Sequence, residues 1–359
     1  MKLTELKIFI GPVEIGKIGG TLASAFREKG IKVTAVRHRS TPIQEGMVYD
    51  QTFQLTQGNI FHYIVNMSMW SRLFINAFFQ HNAFIFLFGK TLLPYNLDLP
   101  LLKLFGKKTI MWFLGSDICS YEEIEKGLMQ IGMKYYLPES MRESPDEIER
   151  KKRMIRRIEK YVDYIISDPP IAHLLNRNYL GKDPESLINL PIDLGKIRYN
   201  NLPNTIPIII HAPTNEEIKG TAYILEAVKR LEKEGYSFDF RLCKDMSNTQ
   251  VLELLSKGDI AIDQLFSALG GWFADEAMAA GCAVLGGNIP QLSGTPDSPI
   301  IHTDPTNVYD NLRLLLENPD LKQELGRKGR SYAEKYLDHR KVADIFLRLL
   351  TTDQLDDKS

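Results

Sequence analysis

Between Gly258 and Gly287 the chain reads GDIAIDQLFSALGGWFADEAMAAGCAVLGG. A short apolar strand (Ile260, Ala261, Ile262) enters a loop with Gly270 and Gly271. A helix of small residues then carries Glu276, and a second apolar strand runs from Cys282 to Leu285. Apolar strands joined through a helix are the pattern of a parallel sheet buried on both faces. The loop and the helix start then lie at the carboxyl edge of that sheet, where backbone N–H groups and the helix dipole favour an anion. One carboxylate beside a glycine-opened helix N-terminus at that edge points to a phosphorylated ligand.

The alternation of strand and helix occurs twice. In the first half Lys7 to Ile10 reads as a strand, followed by Gly11, Gly16, Gly19 and Gly20, an amphipathic helix over Thr21 to Lys29 stopped by Gly30, and a strand from Lys32 to Val36. Further strands are expected at Ile60 to Val65, Ala83 to Phe88, Lys108 to Phe113 and Tyr164 to Ser167. Tyr63 to Phe79 admits a buried helix or a membrane-touching face as well, with core the favoured reading. Ala83 to Leu104 reads as a core strand followed by a loop, because Gly89, Pro94, Asp98 and Pro100 break it far short of a membrane span. Pro145 to Lys160 reads as a charged, solvated helix. Pro191 to Pro207, with three prolines and several asparagines, reads as a connector. Alternation then restarts with a strand at Ile208 to Ile210, a helix at Thr221 to Glu234, a strand at Phe238 to Leu242 and a helix at Thr249 to Ser256. It ends in a helical tail in which Pro319 begins a new helix.

The expected fold is therefore α/β, with two Rossmann-like domains whose parallel sheets face each other across a cleft: residues 1–190, a linker at 191–207, and 208–359 with the terminal helices. With 44 basic against 45 acidic side chains among 359 residues, net charge gives no general attraction to nucleic acid or anionic lipid. Cys119, Cys243 and Cys282 are scattered without metal or disulfide spacing, and the start MKLTELKIFIGP lacks a signal-peptide core. A reducing cytoplasm is the expected compartment.

Lys219, at a helix start after the strand and the turn His211-Ala212-Pro213-Thr214-Asn215, can neutralise a departing diphosphate; taken alone it better suits an exposed surface lysine. Glu276 can accept both hydroxyls of a ribose, or simply complement a helix dipole. His211, His81 and His62 read as strand-end histidines, structural unless a partner shows otherwise.

Taken together, HAPTNEEIKGTAYILEAVKRLEKEG, AIDQLFSALGGWFADEAMAAGCAVLGG and NPDLKQELGRKGRSYAEKYLDHRKVA resemble the carboxyl-terminal domain of two-Rossmann-domain (GT-B type) glycosyltransferases, close to the family 4 retaining enzymes. The glycine loop at Gly16 and Gly19, FGKTLLPYNLDLPLLKLFGKK and WFLGSDIC are similar to that family's amino-terminal domain. The resemblance implies a nucleotide-sugar donor and a glycan or lipid-linked acceptor, with peripheral contact at the inner membrane face among the associations it suggests; no separate cofactor, metal or nucleic acid is implied. It assigns Lys219 to the donor phosphates, Glu276 to the ribose, Gly270, Gly271, Thr214 and Asn215 to the donor site, Gly16 and Gly19 to the diphosphate and acceptor loop, and Asp117 to a catalytic Gly-Ser-Asp turn. Asp117 either orients the acceptor hydroxyl or caps its turn. Three positions depart from the family: Ala268 replaces the first of its paired glutamates, Thr214 replaces a basic residue, and Leu114 replaces a histidine.

The expected chemistry is a retaining transfer in which the leaving diphosphate accepts the acceptor's proton. The lysine and helix amides then stand where other enzymes place a divalent ion, since no Asp-x-Asp occurs. A binding protein that kept the fold and lost turnover is one alternative. A nicotinamide-dependent oxidoreductase is another, resting on Gly16, Gly19, Arg37 and Arg39, although G-x-G-x-x-G spacing is absent.

Overall fold

The computed structural model describes residues 2–38, 47–54, 60–130, 142–181, 188–200, 202–289 and 297–351. These divide into two compact units. The first takes the described residues of Met1–Ser120, Glu143–Pro191 and His339–Ser359; the second takes those of Tyr121–Arg142 and Ile192–Asp338.

In the first unit β1 (Lys7–Ile10), α1 (Ile18–Glu28), β2 (Lys32–His38) and β3 (Gln51–Phe53) build one side of a parallel sheet. The chain then passes through α2 (Ile60–Gln80) to β4 (Ala83–Leu87), α3 (Leu99–Leu104) and β5 (Lys108–Trp112). After α4 (Tyr121–Gln130), which groups with the second unit, come α5 (Pro145–Tyr161) and β6 (Tyr164–Ile166). The strand order is β3-β2-β1-β4-β5-β6, so the direction of winding reverses between β1 and β4. All five residues of β4 are buried, as a central strand covered on both faces requires.

Two expectations are corrected here. Ile60 to Val65 is not a strand but the first turns of α2, with His62 on that helix and not at a strand end. The β-branched start suggested extension, yet no glycine or proline interrupts the following residues. Leu73, Phe74 and Ala77 are buried at i, i+1 and i+4, the spacing of one helix face. The segment after β4 is not a plain loop either: it holds α3, started by Pro100 in its first turn.

The second unit comprises β7 (Ile208–His211), α6 (Glu216–Lys219), α7 (Thr221–Lys233), β8 (Asp239–Leu242), α8 (Asn248–Leu255), β9 (Ile260–Ile262), α9 (Trp272–Ala280), β10 (Ala283–Gly286), β11 (Ile301–His302), α10 (Val308–Glu317) and α11 (Pro319–Tyr332). Its parallel sheet runs β11-β10-β9-β7-β8, and winding reverses between β7 and β9. Successive strand residues serve opposite faces: Ile209, Ile260 and Ile262 pack with Ile224, Leu231, Leu312 and Leu315 of α7 and α10. Ile210 and Ala261 pack with Leu255, Ala274, Ala277 and Met278 of α8 and α9.

The division of the chain differs from the expected one at both ends of the second unit. Ile192 and Ile197, read as connector, are buried in its core, and the Ile192 N–H donates to Leu337 O at 2.7 Å. The final helix, α12 (His339–Thr351), groups with the first unit instead of completing the second.

Candidate functional site

Loops that follow β7 and β9 meet where the second sheet changes winding direction, the place at which open α/β sheets take ligands. After β7, Asn215 caps α6 by accepting from the N–H groups of Glu217 (3.0 Å) and Ile218 (3.1 Å). Gly220, at φ 71°, ends α6 in the left-handed conformation and starts α7, so Lys219 lies in the last turn of α6 and not at a helix start as expected. The loop after β9 is fastened to this junction. Leu265 N–H donates to Lys219 O at 3.3 Å, and a Cβ on Gly220 would lie 3.0 Å from the Leu265 side chain.

The Lys219 ammonium reaches across the switch point and donates to Asp263 Oδ1 at 2.5 Å. The lysine side chain is 12% exposed and the aspartate side chain 0%. Asp263 Oδ2 accepts the N–H of Gly271, the residue that caps α9, at 2.7 Å. A cation, a buried carboxylate and a helix N-terminus thus form one chain of contacts. Glu276 lies five residues, about one and a half turns, further along α9. It is 3% exposed, accepts from Trp272 Nε1 at 2.8 Å, and accepts from Asn248 Nδ2 at 3.1 Å on each oxygen. Asn248 opens α8, whose N-cap Ser247 completes a capping box with Gln250, so Glu276 faces the loop after β8. The carboxyl ends of β9, β7 and β8, adjacent in the sheet, therefore each contribute to the site.

Of the amides assigned to an anion, that of Gly271 is already bonded to Asp263. Gly270 is required by packing, since a Cβ there would lie 2.7 Å from Ile300 Cδ1. Thr214 and Asn215 are exposed, and the Asn215 side chain is used in capping α6. Ala268, where the family's first glutamate would stand, is buried. His211 lies wholly inside the unit: its Nδ1–H donates to Ile262 O at 2.8 Å, and Nε2 meets Thr221 Oγ1 at 2.9 Å. Burial pulls its pKa down to about 4, so the ring is neutral at pH 7 and structural. His81 is held in the same manner, between Ala77 O and Thr34 Oγ1.

In the first unit the glycine loop differs from the expectation. Glu14, in the loop after β1, turns its carboxylate onto the start of α1 and accepts the N–H groups of Gly19 (2.9 Å) and Gly20 (2.8 Å) and the hydroxyl of Tyr49 (2.5 Å). Added Cβ atoms at Gly19 and Gly20 would lie 2.9 Å from Glu14 Oε2 and 2.6 Å from Tyr49 Oη, so glycine permits this approach. Burial raises the Glu14 pKa. The helix terminus is occupied by the protein's own carboxylate, with the Gly16 turn at φ 57° leading into it. A dinucleotide pyrophosphate would need the same amides, which removes the ground for the oxidoreductase reading. Arg37 stacks 4.1 Å from the Tyr49 ring centroid, and Arg39 lies outside the described residues. Asp117 accepts from the N–H groups of Leu114 (3.2 Å) and Gly115 (2.9 Å), and burial pushes its pKa up to about 6. Its hydrogen bonds hold the turn that carries it.

Sequence reasoning missed Asp263, Asn248, Trp272 and Glu14. Trp272 lies four residues before Glu276, a helical spacing that could have found it. Asp263 follows directly on a buried strand, at the carboxyl edge of the sheet where the site was expected.

No protein-family profile matches the sequence, and no curated protein does. Solved structures match over nearly the whole chain. A sucrose-phosphate synthase from Thermosynechococcus elongatus superposes with a TM-score of 0.64 at 13% identity, covering 95% of this chain and 97% of its own. HepE from Anabaena, in complex with UDP-glucose, gives 0.60 at 9% identity, over 96% and 98%. A Listeria monocytogenes protein assigned as a UDP-N-acetylglucosamine 2-epimerase gives 0.53 at 12%, over 98% of both. The chain has the two-Rossmann-domain fold of GT-B glycosyltransferases, with two all-parallel sheets.

Proposed function

We propose that this chain is a glycosyltransferase that takes a nucleoside-diphosphate sugar as donor and passes the sugar to a hydroxyl of a glycan or lipid-linked acceptor. The observation that carries the reading is the Lys219–Asp263–Gly271 chain at the winding reversal, with Glu276 fixed one and a half turns along the same helix. An ammonium has three donors. One is given to Asp263, and two are left for the oxygens of a diphosphate. On this reading Glu276, held by Trp272 and Asn248, takes the ribose, and the loop after β8 takes the base. UDP is the first nucleotide to test, because HepE was crystallised with UDP-glucose on the same fold.

Transfer with retention needs no protein nucleophile on this reading. The bond between the anomeric carbon and the β-phosphate oxygen breaks, the acceptor oxygen bonds to that carbon on the same face, and its proton passes to the departing phosphate. Lys219 offsets the charge that develops on the leaving group, the task a divalent ion performs elsewhere. Asp263 is a positioning residue: it holds the lysine and the N-terminus of α9 in one geometry. Asp117 supports the turn after β5.

The engagement of Lys219 by Asp263, together with Ala268, favours one second reading: a protein that binds the nucleotide sugar and does not transfer it. Thermal-shift titration with UDP, GDP and ADP, followed by assay of nucleoside diphosphate release with and without acceptors, separates the two. Binding to the folded state raises the melting temperature. Lys219→Ala is expected to lower acceptor-dependent release by ~10²-fold or more. Nucleotide binding without release in any acceptor mixture would favour the binding protein, acceptor-independent release an epimerase or hydrolase, and unchanged turnover in Lys219→Ala would remove the proposed leaving-group role.

A further inference from the structure

Helix α3 is apolar on two sides. Leu99 and Leu102 are buried in the core of the first unit, while Leu97, Leu101, Leu104 and Phe105 follow at i, i+4, i+7 and i+8 on the opposite side and are exposed. Leu104 is 77% exposed and Phe105 62%. The stripe continues onto the end of α2. Phe105 packs edge-on to Phe78 with ring centroids 5.1 Å apart, and Phe78 contacts Phe79, itself 79% exposed, at 5.3 Å. A run of large apolar side chains on one surface marks an interaction site.

Its rim is basic. Lys103 Nζ donates to Lys160 O at 2.9 Å, and Lys107 Nζ donates to His81 O at 2.7 Å while lying 5.1 Å from the Phe78 ring centroid. Arg157 donates to Tyr95 O, and Lys160 lies 5.3 Å from the Tyr161 ring centroid. Among the described residues none of these four pairs with a carboxylate. Elsewhere on the same α5, by contrast, Arg150, Lys151 and Arg156 pair with Glu147, Glu143 and Glu149. Cations directed to backbone carbonyls keep their full charge for an outside partner.

We propose that this face, formed by the end of α2, α3 with its approach, and the last turn of α5, docks onto an anionic lipid bilayer. Leucine and phenylalanine side chains enter below the head groups, and the four cations meet lipid phosphates, their alkyl stems lying along the apolar stripe. A protein partner would need carboxylates matched one by one to these positions, whereas a bilayer supplies anions at every point around an apolar floor. Among the described residues no helix is long and apolar enough to cross a membrane, so the contact lies in the plane of the interface.

The test is co-sedimentation of the purified full chain with vesicles of phosphatidylcholine alone or mixed with phosphatidylglycerol, at low and high salt. Binding is expected only with phosphatidylglycerol, and it should weaken with salt. A Lys103→Glu/Lys160→Glu variant is expected to lose roughly fivefold or more in partitioning per cation changed. Leu104→Ser/Phe105→Ser, which alters only exposed side chains, should lose more than about tenfold at an unchanged melting temperature. Absence of binding to the anionic vesicles, equal binding to both vesicles, or variants that bind as the parent does would each overturn the proposal. So would a dimer in solution that the Leu104→Ser/Phe105→Ser change dissociates while vesicle binding is absent.

Discussion

Asp263 determines what Lys219 can do. A lysine in the last turn of a short helix is ordinarily a mobile, hydrated charge, and holding it costs rotamer entropy. The fully buried carboxylate meets that cost once, through contacts to the ammonium and to the Gly271 amide, so the lysine is already placed when a diphosphate arrives. The attraction left for the ligand comes from the two remaining ammonium donors and from the dipole of α9. His211, below the same loops, contributes to stability instead. Its pKa is about 4 in the folded chain against an ordinary value near 6.5, so the unfolded chain takes up a proton that the folded site refuses. The contribution is complete above about pH 6.5 and is lost as pH falls, reaching about 3 kcal/mol near pH 4. Asp98, Asp117 and Asp168, each raised to about 6 by burial, act with the opposite sign, because the folded chain binds their protons more readily as pH falls. The histidine is therefore isolated by difference. The unfolding free energy of the parent minus that of His211→Gln should shrink by about 3 kcal/mol between neutral pH and about pH 4, and a constant difference would contradict a buried neutral ring.

Among the elements, most strands and several helix starts were legible because their determinants are local. Lys7–Ile10 is a strand as read, α5 begins at Pro145 as read, and Pro319 begins α11. Helix α2 was misread because Ile60 to Val65 carries strand-like residues whose helical state depends on packing further along, at Leu73, Phe74 and Ala77. In the site, Lys219 and Glu276 stood in recognisable local phrases. Their partners did not: the Lys219–Asp263 contact joins residues 44 apart and the Glu276–Asn248 contact residues 28 apart, distances that one sequence cannot pair. The junction of α6 and α7 is where an element boundary bears on chemistry. Gly220 combines φ 71° with close contact to Leu265, so Gly220→Ala adds both left-handed strain and a clash 3.0 Å from Leu265 Cβ. The expected loss is about 1–2 kcal/mol in denaturant unfolding, with weaker nucleotide binding because Lys219 shifts. A variant as stable as the parent would show that this junction does not hold the lysine.

At the scale of the molecule, the parallel order of two sheets followed from alternation alone, but the route of the chain did not. It passes from the first unit to the second at Ser120, returns at Glu143, leaves again at Pro191 and comes back at His339. Periodicity gave the last helix its apolar face without saying which core receives it. In the structure Val342, Ala343, Phe346 and Leu350 of α12 are buried, Phe346 lies 5.4 Å from the Trp112 ring at the end of β5, and Lys29 and Glu28 of the α1 end bind Asp344 and Arg340. The exposed ion pairs are worth little in water, so apolar burial must provide most of the attachment. Phe346 has no solvent exposure, and its removal leaves a cavity against Trp112. Phe346→Ala is therefore expected to lower the unfolding free energy by about 3–5 kcal/mol, with a change in Trp112 fluorescence. Leu314→Ala, at a 40% exposed position on α10, serves as control and should change stability by about 0.5 kcal/mol or less. If both substitutions cost the same small amount, α12 is an appendage and the first unit closes without it; a large cost confined to Phe346 makes the returning helix part of that unit's core.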